Sequence, residues 1–333
     1  MAGTMPNLQL TLACGAYDRT EALRTGVIQA EGIDLTYLAI QSPPEIFSRV
    51  IKKQAFDVAE MSTSVYFQLR SRNQLPYLAL PIFPSRLFRH GFIFVNSKAG
   101  IRQPSDLTGK RIGVPEYRQT AAVWIRGLLQ HEYGVDLHSI RWFEGGVNSP
   151  READPELDLH PAGEYSIEFI RPHRTLDQML AIGEIDALIG ARSPASLGRH
   201  PDVARLFPNY REVERQYFQK TGIFPMMHTL VMREDLHAAR PWVSDSLYKA
   251  FVQAKDWCWE QLSFSGTMRC MLPWLFDDLD EMERVFGADP WPYGLEPNRT
   301  ALEALNQYLV DQGLMASKAK LEDVFIPIVL SNE

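Results

Sequence analysis

The sequence contains few of the features that mark redox, metal-binding or membrane proteins. Cysteine occurs three times in 333 residues, as Cys14, Cys258 and Cys270. None of these forms a CxxC pair or a zinc-like spacing, so they are expected to be reduced or buried thiols. No apolar run approaches membrane-spanning length, and the amino-terminal residues lack the basic and apolar regions of a signal peptide. A cytoplasmic location without membrane contact is therefore predicted.

Basic clusters and cofactor motifs are also absent from the sequence. The formal net charge is −7 and no dense Lys/Arg run occurs, which argues against a nucleic-acid partner. There is no catalytic serine motif, phosphate-binding glycine loop or dinucleotide fingerprint. The eight histidines are scattered and no HExxH spacing occurs. Neither a metal nor an organic cofactor is predicted.

Strands and helices alternate along most of the chain. Alternating or short apolar runs predict strands at 8–12, 33–40, 56–60, 77–83, 92–96, 110–114, 140–143, 166–170 and 230–232. Apolar spacing and capping residues predict helices at 21–30, 45–53, 120–133, 241–262 and 299–312, and a short helix opened by a capping box at Thr175. An acidic, proline-bearing stretch at 145–164 has the composition of a solvated loop. This β-α-β order predicts an α/β fold with mostly parallel sheets.

An internal repeat suggests two lobes of similar build. The step from helix to strand at 53–59 recurs at 182–188, with an aspartate at the same place in each copy, Asp57 and Asp186. Ligands of such sheets bind beyond the carboxyl ends of the strands, so a cleft between two lobes is expected to hold the ligand. The first lobe is predicted to comprise 1–95, the second 96–225, and 226–333 to return to the first lobe and add carboxyl-terminal helices.

The stretch from Gly113 to Gly127 has the pattern of an anion site. A short strand ends at Pro115, and a polar loop that contains Glu116, Tyr117 and Gln119 follows. Thr120 is predicted to cap a helix whose first turn includes Ala121. Free N–H groups and the helix dipole at such a start attract anions, although ordinary strand-to-helix turns share this pattern.

Other polar side chains follow the predicted strand ends. The candidates outside 113–127 are Asp18, Arg19, Ser62, Ser64, Arg86, Arg89, His90, Arg192 and His228. Arginines and hydroxyls suit a carboxylate-bearing ligand, whereas His90, His228, Glu116 and Asp18 could move a proton. A salt bridge is the alternative for each arginine, and a hydrogen-bonded core histidine is the alternative for His228.

Six segments are similar to the 4,5-dihydroxyphthalate decarboxylase family, a branch of proteins with the type II periplasmic-binding-protein fold. They are AYDRT (16–20), AEMSTS (59–64), FPSRLFRH (83–90), GVPEYRQTAAVWIRG (113–127), FPMMHTLVMR (224–233) and WPYGLEPNRTALEAL (291–305). The resemblance implies a two-lobed α/β fold with a ligand cleft between the lobes. It also implies a cytoplasmic, cofactor-independent decarboxylation of 4,5-dihydroxyphthalate to protocatechuate and CO2.

The chemistry of this reaction predicts three roles for the candidates. Arg19, Arg86 or Arg89 would hold the remaining carboxylate, assisted by the helix start at Thr120. His228 or His90 would donate the proton, and Glu116 or Asp18 would contact the phenol. Two alternatives stay open: a solute-binding protein that feeds a transporter, or another enzyme of the same fold. The expected partner is a small aromatic dicarboxylate, and a homo-oligomer is left open.

Overall fold

The chain folds into two α/β units. The computed structural model describes residues 6–152 and 159–329. The first unit comprises the residues up to Arg86, His228–Arg299 and those from Lys320 onward, and the second comprises Leu87–Met227 and Thr300–Ala319. Within the described ranges, no helix is long and apolar enough to cross a membrane.

A five-stranded mixed sheet forms the centre of the first unit. Its strands are β1 (Leu8–Cys14), β2 (Ile33–Ala39), β3 (Val58–Ser62), β4 (Tyr77–Arg86) and β11 (Met226–Arg233), in the order β2-β1-β3-β11-β4. Strand β1 runs parallel to β2 and β3, whereas β11 runs antiparallel to β3. The carboxyl ends of β1 and β3 therefore lie at the same edge of the sheet as the start of β11.

The helices of this unit cover the sheet. They are α1 (Glu21–Thr25), α2 (Pro43–Lys53), α3 (Thr63–Ser71), α7 (Glu234–Ala239), α8 (Trp242–Ser263), α9 (Leu275–Phe286) and α11 (Leu321–Val324). The amphipathic helix predicted at 241–262 is confirmed as α8. Its buried face, which includes Leu247 and Phe251, packs in one core cluster with Leu12 of β1 and Leu230 of β11.

The second unit contains a six-stranded mixed sheet. Its strands are β5 (Ile93–Asn96), β6 (Arg111–Val114), β7 (Arg141–Glu144), β8 (Ser166–Phe169), β9 (Ala187–Ile189) and β10 (Val203–Arg205), in the order β10-β5-β9-β6-β7-β8. Strands β9, β6, β7 and β8 are parallel, and β5 is antiparallel to its two neighbours. The helices are α4 (Thr120–Tyr133), α5 (Leu176–Ala181), α6 (Tyr210–Thr221) and most of α10 (Arg299–Asp311).

Helix α10 belongs by its contacts to the second unit, although the sequence placed the carboxyl-terminal helices with the first. The Tyr308 ring lies 5.6 Å from that of Trp124 on α4, and Arg126 Nε donates a 2.9 Å hydrogen bond to Gln312. A side chain at Gly127 would bring a Cβ within 2.0 Å of the Tyr308 ring. The glycine thus permits the close approach of α4 and α10.

The repeated helix-to-strand step has the same physical role in both units. Asp57 accepts hydrogen bonds from the backbone N–H and hydroxyl of Thr11 on β1, both at 2.8 Å. Asp186 accepts from the backbone N–H of Arg111 on β6 at 2.9 Å and pairs with its guanidinium. In each unit the aspartate fastens the start of one strand to its parallel neighbour.

Several predicted boundaries differ from the structure. Helix α1 ends at Thr25 because Gly26 takes a left-handed conformation (φ 77°), so the predicted helix at 21–30 is too long. Strand β3 begins and ends two residues later than predicted. Gln119 occupies the N-cap position of α4 and Thr120 is its first residue, so the predicted Thr120 cap is wrong. Part of the predicted loop at 145–164, residues 153–158, lies outside the described residues.

Candidate active site

Strand pairing in the first unit places several polar side chains on one face at one edge of the sheet. His228 of β11 pairs directly with Ser62, the last residue of β3. Side chains two residues apart on a strand point to the same face, so Glu60 lies on the side of the sheet that carries Ser62 and His228. The loop after β1 brings Tyr17 to the same place, as its contact with Glu60 shows.

Glu60 is the centre of a hydrogen-bond network, although its side chain is fully buried. Its Oε1 accepts from the Tyr17 hydroxyl at 2.5 Å and lies 2.5 Å from Nδ1 of His228. Its Oε2 accepts from the backbone N–H of Gly15 at 2.8 Å and faces Sγ of Cys14 at 3.5 Å. A buried carboxylate is tolerated only when such donors replace water.

The charge state of Glu60 follows from these contacts. Burial raises the pKa of the carboxyl, but the charge of His228 and the hydrogen bonds from His228, Tyr17 and Gly15 outweigh it. The pKa of Glu60 therefore lies below its ordinary value, and the group is ionised at neutral pH. An ionised carboxylate only accepts hydrogen bonds, so Nδ1 of His228 must carry the hydrogen that is donated to Glu60.

The His228 ring is fixed on one side and remains partly accessible on the other. Glu60 holds Nδ1, and the ring of Phe47 meets the imidazole edge-on at 5.1 Å between centroids. The His228 side chain retains 17% of its exposure, whereas Glu60 retains none. A carboxylate that orients Nδ1–H leaves Nε2 to exchange a proton with a bound molecule or with water.

Arg19 lies next to this network, and its guanidinium is close to two aromatic rings. Its guanidinium carbon is 4.4 Å from the ring centres of both Tyr17 and Trp291. Its Nε donates to the Pro84 carbonyl at 2.6 Å, and Nη1 donates to the largely exposed Asp18 at 2.7 Å. The predicted candidates Asp18 and Arg19 thus form an ion pair next to Tyr17, which donates to Glu60.

The hydroxyl groups at the end of β3 form the start of helix α3. Ser62 is the N-cap residue, and Thr63 and Ser64 lie in the first turn, all three buried. The Thr63 hydroxyl has no hydrogen-bond partner among the described residues. Backbone N–H groups at a helix start and nearby hydroxyls suit a carboxylate.

The cation of Arg86, at the end of β4, contacts the chain itself. Its Nη2 donates to the Pro292 carbonyl at 2.9 Å and also to the Asn298 side chain, and its guanidinium lies 5.2 Å from the centre of the Phe83 ring. Burial lowers the pKa of Arg86 to about 9, which leaves it charged at neutral pH. These contacts give Arg86 a role in joining β4 to the segment 292–298.

The predicted candidates of the second unit lie in three places: the loop after β6, the start of helix α4 and the buried interior. Glu116 is half-buried, with Arg118 at 3.5 Å and Arg151 at 3.7 Å. The Tyr117 ring is buried under the Arg126 guanidinium at 3.6 Å, and Gln119 Oε1 accepts from the Ala191 N–H at 3.2 Å. The remaining candidates are two buried residues at the start of α4, Thr120 and Ala121, and the exposed Arg192.

Arg89 and His90 are both buried within the second unit. Arg89 Nε faces Sδ of Met227 at 3.2 Å, and its guanidinium lies 4.9 Å from the centre of the Phe92 ring. His90 is 1% exposed, neither ring nitrogen has a hydrogen-bond partner among the described residues, and Oε1 of Glu214 lies 3.9 Å from Nδ1. Burial lowers the pKa of His90 to about 4, so its ring is neutral at neutral pH. This environment does not favour His90 as a proton donor.

Sequence reasoning missed two residues of the network, Glu60 and Tyr17. Both lie in segments that resemble the decarboxylase family, but neither was among the candidates. The available signal was a carboxylate in an apolar strand, Ala59-Glu60-Met61, because such a residue is seldom buried without a partner. Among the described residues, no group of three or more His, Cys, Asp or Glu is placed to hold a metal ion.

Comparison with solved structures identifies the fold. The chain is similar in fold to a periplasmic sulfonate-binding protein from Methylobacillus flagellatus (TM-score 0.52, 12% identity, 97% of this chain and 93% of that one). The periplasmic aliphatic sulphonate binding protein of Escherichia coli also has a TM-score of 0.52, at 7% identity over 96% of this chain and 97% of that one. The chain therefore has the periplasmic-binding-protein-like α/β fold, as predicted.

Sequence comparison defines the family. No family model matches the chain. It is 36% identical to a 4,5-dihydroxyphthalate decarboxylase of Comamonas testosteroni over 329 residues, which are 98% of this chain and 99% of that protein. A 4,5-dihydroxyphthalate decarboxylase of Pseudomonas putida is 38% identical over 61% of this chain and 78% of that protein. The chain belongs to the 4,5-dihydroxyphthalate decarboxylase family, which confirms the resemblance seen in its motifs.

Proposed function

We propose that this protein is a non-oxidative decarboxylase that converts 4,5-dihydroxyphthalate to protocatechuate and CO2 without an organic cofactor. The observation that supports the proposal is the buried Glu60 carboxylate 2.5 Å from Nδ1 of His228. The 36% identity to a decarboxylase over nearly the whole chain supports the same reaction class.

The substrate itself supplies the electrons for the reaction. Each carboxylate of 4,5-dihydroxyphthalate has a hydroxyl group para to it. Polarising that hydroxyl raises the electron density on the ring carbon that carries the carboxylate. Protonation of this carbon gives a dienone-like intermediate, and loss of CO2 then restores the aromatic ring. The reaction consumes one proton for each CO2 released, so the site needs a proton donor that solvent can recharge.

His228 is the donor in this proposal, and Glu60 positions it. Glu60 holds the Nδ1–H, which directs Nε2 toward the ring carbon of the substrate. After the transfer, water can return a proton to the ring because the His228 side chain is 17% exposed. Tyr17 and Gly15 donate to Glu60 and keep its carboxylate fixed and ionised.

The carboxylate that remains on the ring requires a positive partner. In this proposal Arg19 and the start of helix α3, with Ser62 and Ser64, supply it. Arg19 is already held by contacts with the rings of Tyr17 and Trp291, so little conformational freedom is lost on binding. The roles predicted for the phenol-contacting carboxylates and for the second-unit candidates remain predictions.

The decisive test is incubation of the purified protein with matched aromatic acids while released CO2 and bound ligand are both measured. We expect CO2 from 4,5-dihydroxyphthalate and none from phthalate, which lacks the para hydroxyl groups. Binding of 4,5-dihydroxyphthalate without CO2 would refute the enzyme proposal and favour a solute-binding protein. Release of CO2 only from another aromatic acid would refute the substrate and keep the reaction class.

A further inference from the structure

One segment of the first unit carries a dense set of exposed apolar side chains. Twelve large apolar side chains are exposed in the described residues, and six of them lie within residues 264–276. Two extend almost fully into solvent, Met271 at 101% and Trp274 at 75% of their maximal exposure. The others are Phe264, Met268, Leu272 and Phe276. We refer to these six residues as the 264–276 patch.

The area of the patch is large for a surface that remains in water. At about 200 Å² for a fully exposed large side chain, the six exposed fractions amount to roughly 700 Å². The largest apolar patch of a typical monomer covers about 300–600 Å². A stable protein interface buries about 800 Å² on each partner. The patch thus supplies nearly the area that one side of an interface needs.

A cavity lies beside the projecting side chains. It has a volume of about 740 Å³ and opens between helices α8 and α9. Its apolar lining includes Leu262, Leu272, Leu275, Leu279 and Met282. Leu272 belongs both to the patch and to the cavity wall. One surface therefore offers protruding apolar groups next to an apolar recess, which is the requirement for a self-complementary interface around a two-fold axis.

The charges around the cavity argue against a partner held by ion pairs. Among the described residues, its lining has five acidic residues and only two basic ones, Arg19 and Lys255, each of which lies 2.7 Å from an aspartate of the same chain. The first turn of α9 adds acidic residues next to the patch. Two copies would bring apolar surface together and leave like charges at the rim, so salt would strengthen rather than weaken their association.

We propose that the 264–276 patch is the interface through which two copies of this chain form a dimer. Met271 and Trp274 of each copy enter the cavity of the other. These two residues are the centre of the interface, because exposed apolar anchors that fill a pocket contribute most of the binding free energy. Arg19 lines this cavity and in the proposed function also holds the substrate carboxylate, so the dimer is tested by association and not by activity.

Sedimentation of the full chain in reducing buffer tests the proposal. We expect a dimer with a Kd of about 10 µM or lower, which persists or tightens when salt is raised. Met271→Asp and Trp274→Glu should each raise the Kd at least about thirtyfold. Val27→Asp and Ile182→Asp place the same charge at apolar positions of 57% and 65% exposure outside the patch and should leave the Kd unchanged.

Hydrogen exchange on the unmodified protein keeps the test independent of how the variants fold. Protection of residues 264–276 should increase with protein concentration if the patch is the interface. A monomer at all concentrations up to about 100 µM would overturn the proposal. A dimer that is unchanged in both patch variants, or exchange in the patch that is independent of concentration, would also overturn it. Association that salt weakens would contradict the apolar interface.

Discussion

Replacement of Glu60 by Gln changes the proposed proton-donor pair with almost no change in volume. In the native site Oε1 accepts from Tyr17 and His228, and Oε2 accepts from Gly15. A glutamine that keeps its oxygen toward His228 turns its NH2 group toward the Gly15 N–H, a contact between two donors. The opposite orientation forces Nδ1 of His228 to accept, which removes the hydrogen that fixes the ring.

The magnitude follows from the lost charge. A hydrogen bond to a charged group contributes about 1.5–3 kcal/mol, and one of the contacts to Glu60 also orients the proton donor. A loss of about 3 kcal/mol in transition-state stabilisation corresponds to a decrease of roughly 150-fold in kcat/KM. Protocatechuate formation from 4,5-dihydroxyphthalate, followed spectroscopically, gives kcat/KM for each folded variant.

A matched control, Asp57→Asn, separates the loss of His228 orientation from the loss of a carboxylate next to strand β3. Asp57 immediately precedes the same strand and accepts two hydrogen bonds from Thr11. Asp57→Asn should lower the free energy of unfolding and leave kcat/KM nearly unchanged. The reasoning on Glu60 is refuted if folded Glu60→Gln retains kcat/KM within about threefold of the native value, since one charge-assisted bond alone exceeds that effect.

Three further changes probe the surroundings of the site. Tyr17→Phe removes one donor to Glu60 and should reduce kcat/KM about tenfold. Tyr37→Phe removes a hydroxyl that donates to the Gly15 carbonyl and should leave kcat/KM unchanged. Arg86→Ala breaks the contacts to Pro292 and Asn298, so thermal melting should occur several degrees lower with kcat/KM unchanged. Because the pKa of His90 is about 4 in the folded chain and about 6.5 when unfolded, the unfolded state binds an extra proton between these values. The free energy of unfolding of the native protein should therefore decrease as pH falls from about 6.5 to about 4. In urea titrations, the decrease between pH 7 and pH 5 should be about 2 kcal/mol smaller in His90→Phe than in the native protein. An equal decrease in both proteins would contradict this.

The periodic segments made the α/β architecture predictable from sequence. The long helix α8 and the repeated step before Asp57 and Asp186 depend on local patterns that the sequence displays directly. Boundaries were less accurate where one backbone conformation decides them. Helix α1 ends at Gly26 because that residue takes a positive φ, which the apolar spacing alone does not reveal.

The site was only half predictable because it depends on strand register. His228 was chosen from its chemistry, but its partner Glu60 lies 168 residues earlier in the chain. Their proximity requires the antiparallel pairing of β11 with β3, which local sequence does not specify. For the same reason the sequence did not show that the arginine-histidine run is divided between the two units. Arg86 joins elements of the first unit, whereas Arg89 and His90 are buried in the second.

The central claim is that His228, held by Glu60, donates the proton that replaces the departing carboxylate. Its most direct test is a comparison of His228→Gln with the native protein in single-turnover decarboxylation of 4,5-dihydroxyphthalate, with substrate binding measured on the same samples. We predict that the variant binds the substrate with a similar Kd and releases CO2 at least about a hundredfold more slowly, as loss of a general acid requires. A variant that binds normally and releases CO2 at the native rate would contradict the claim.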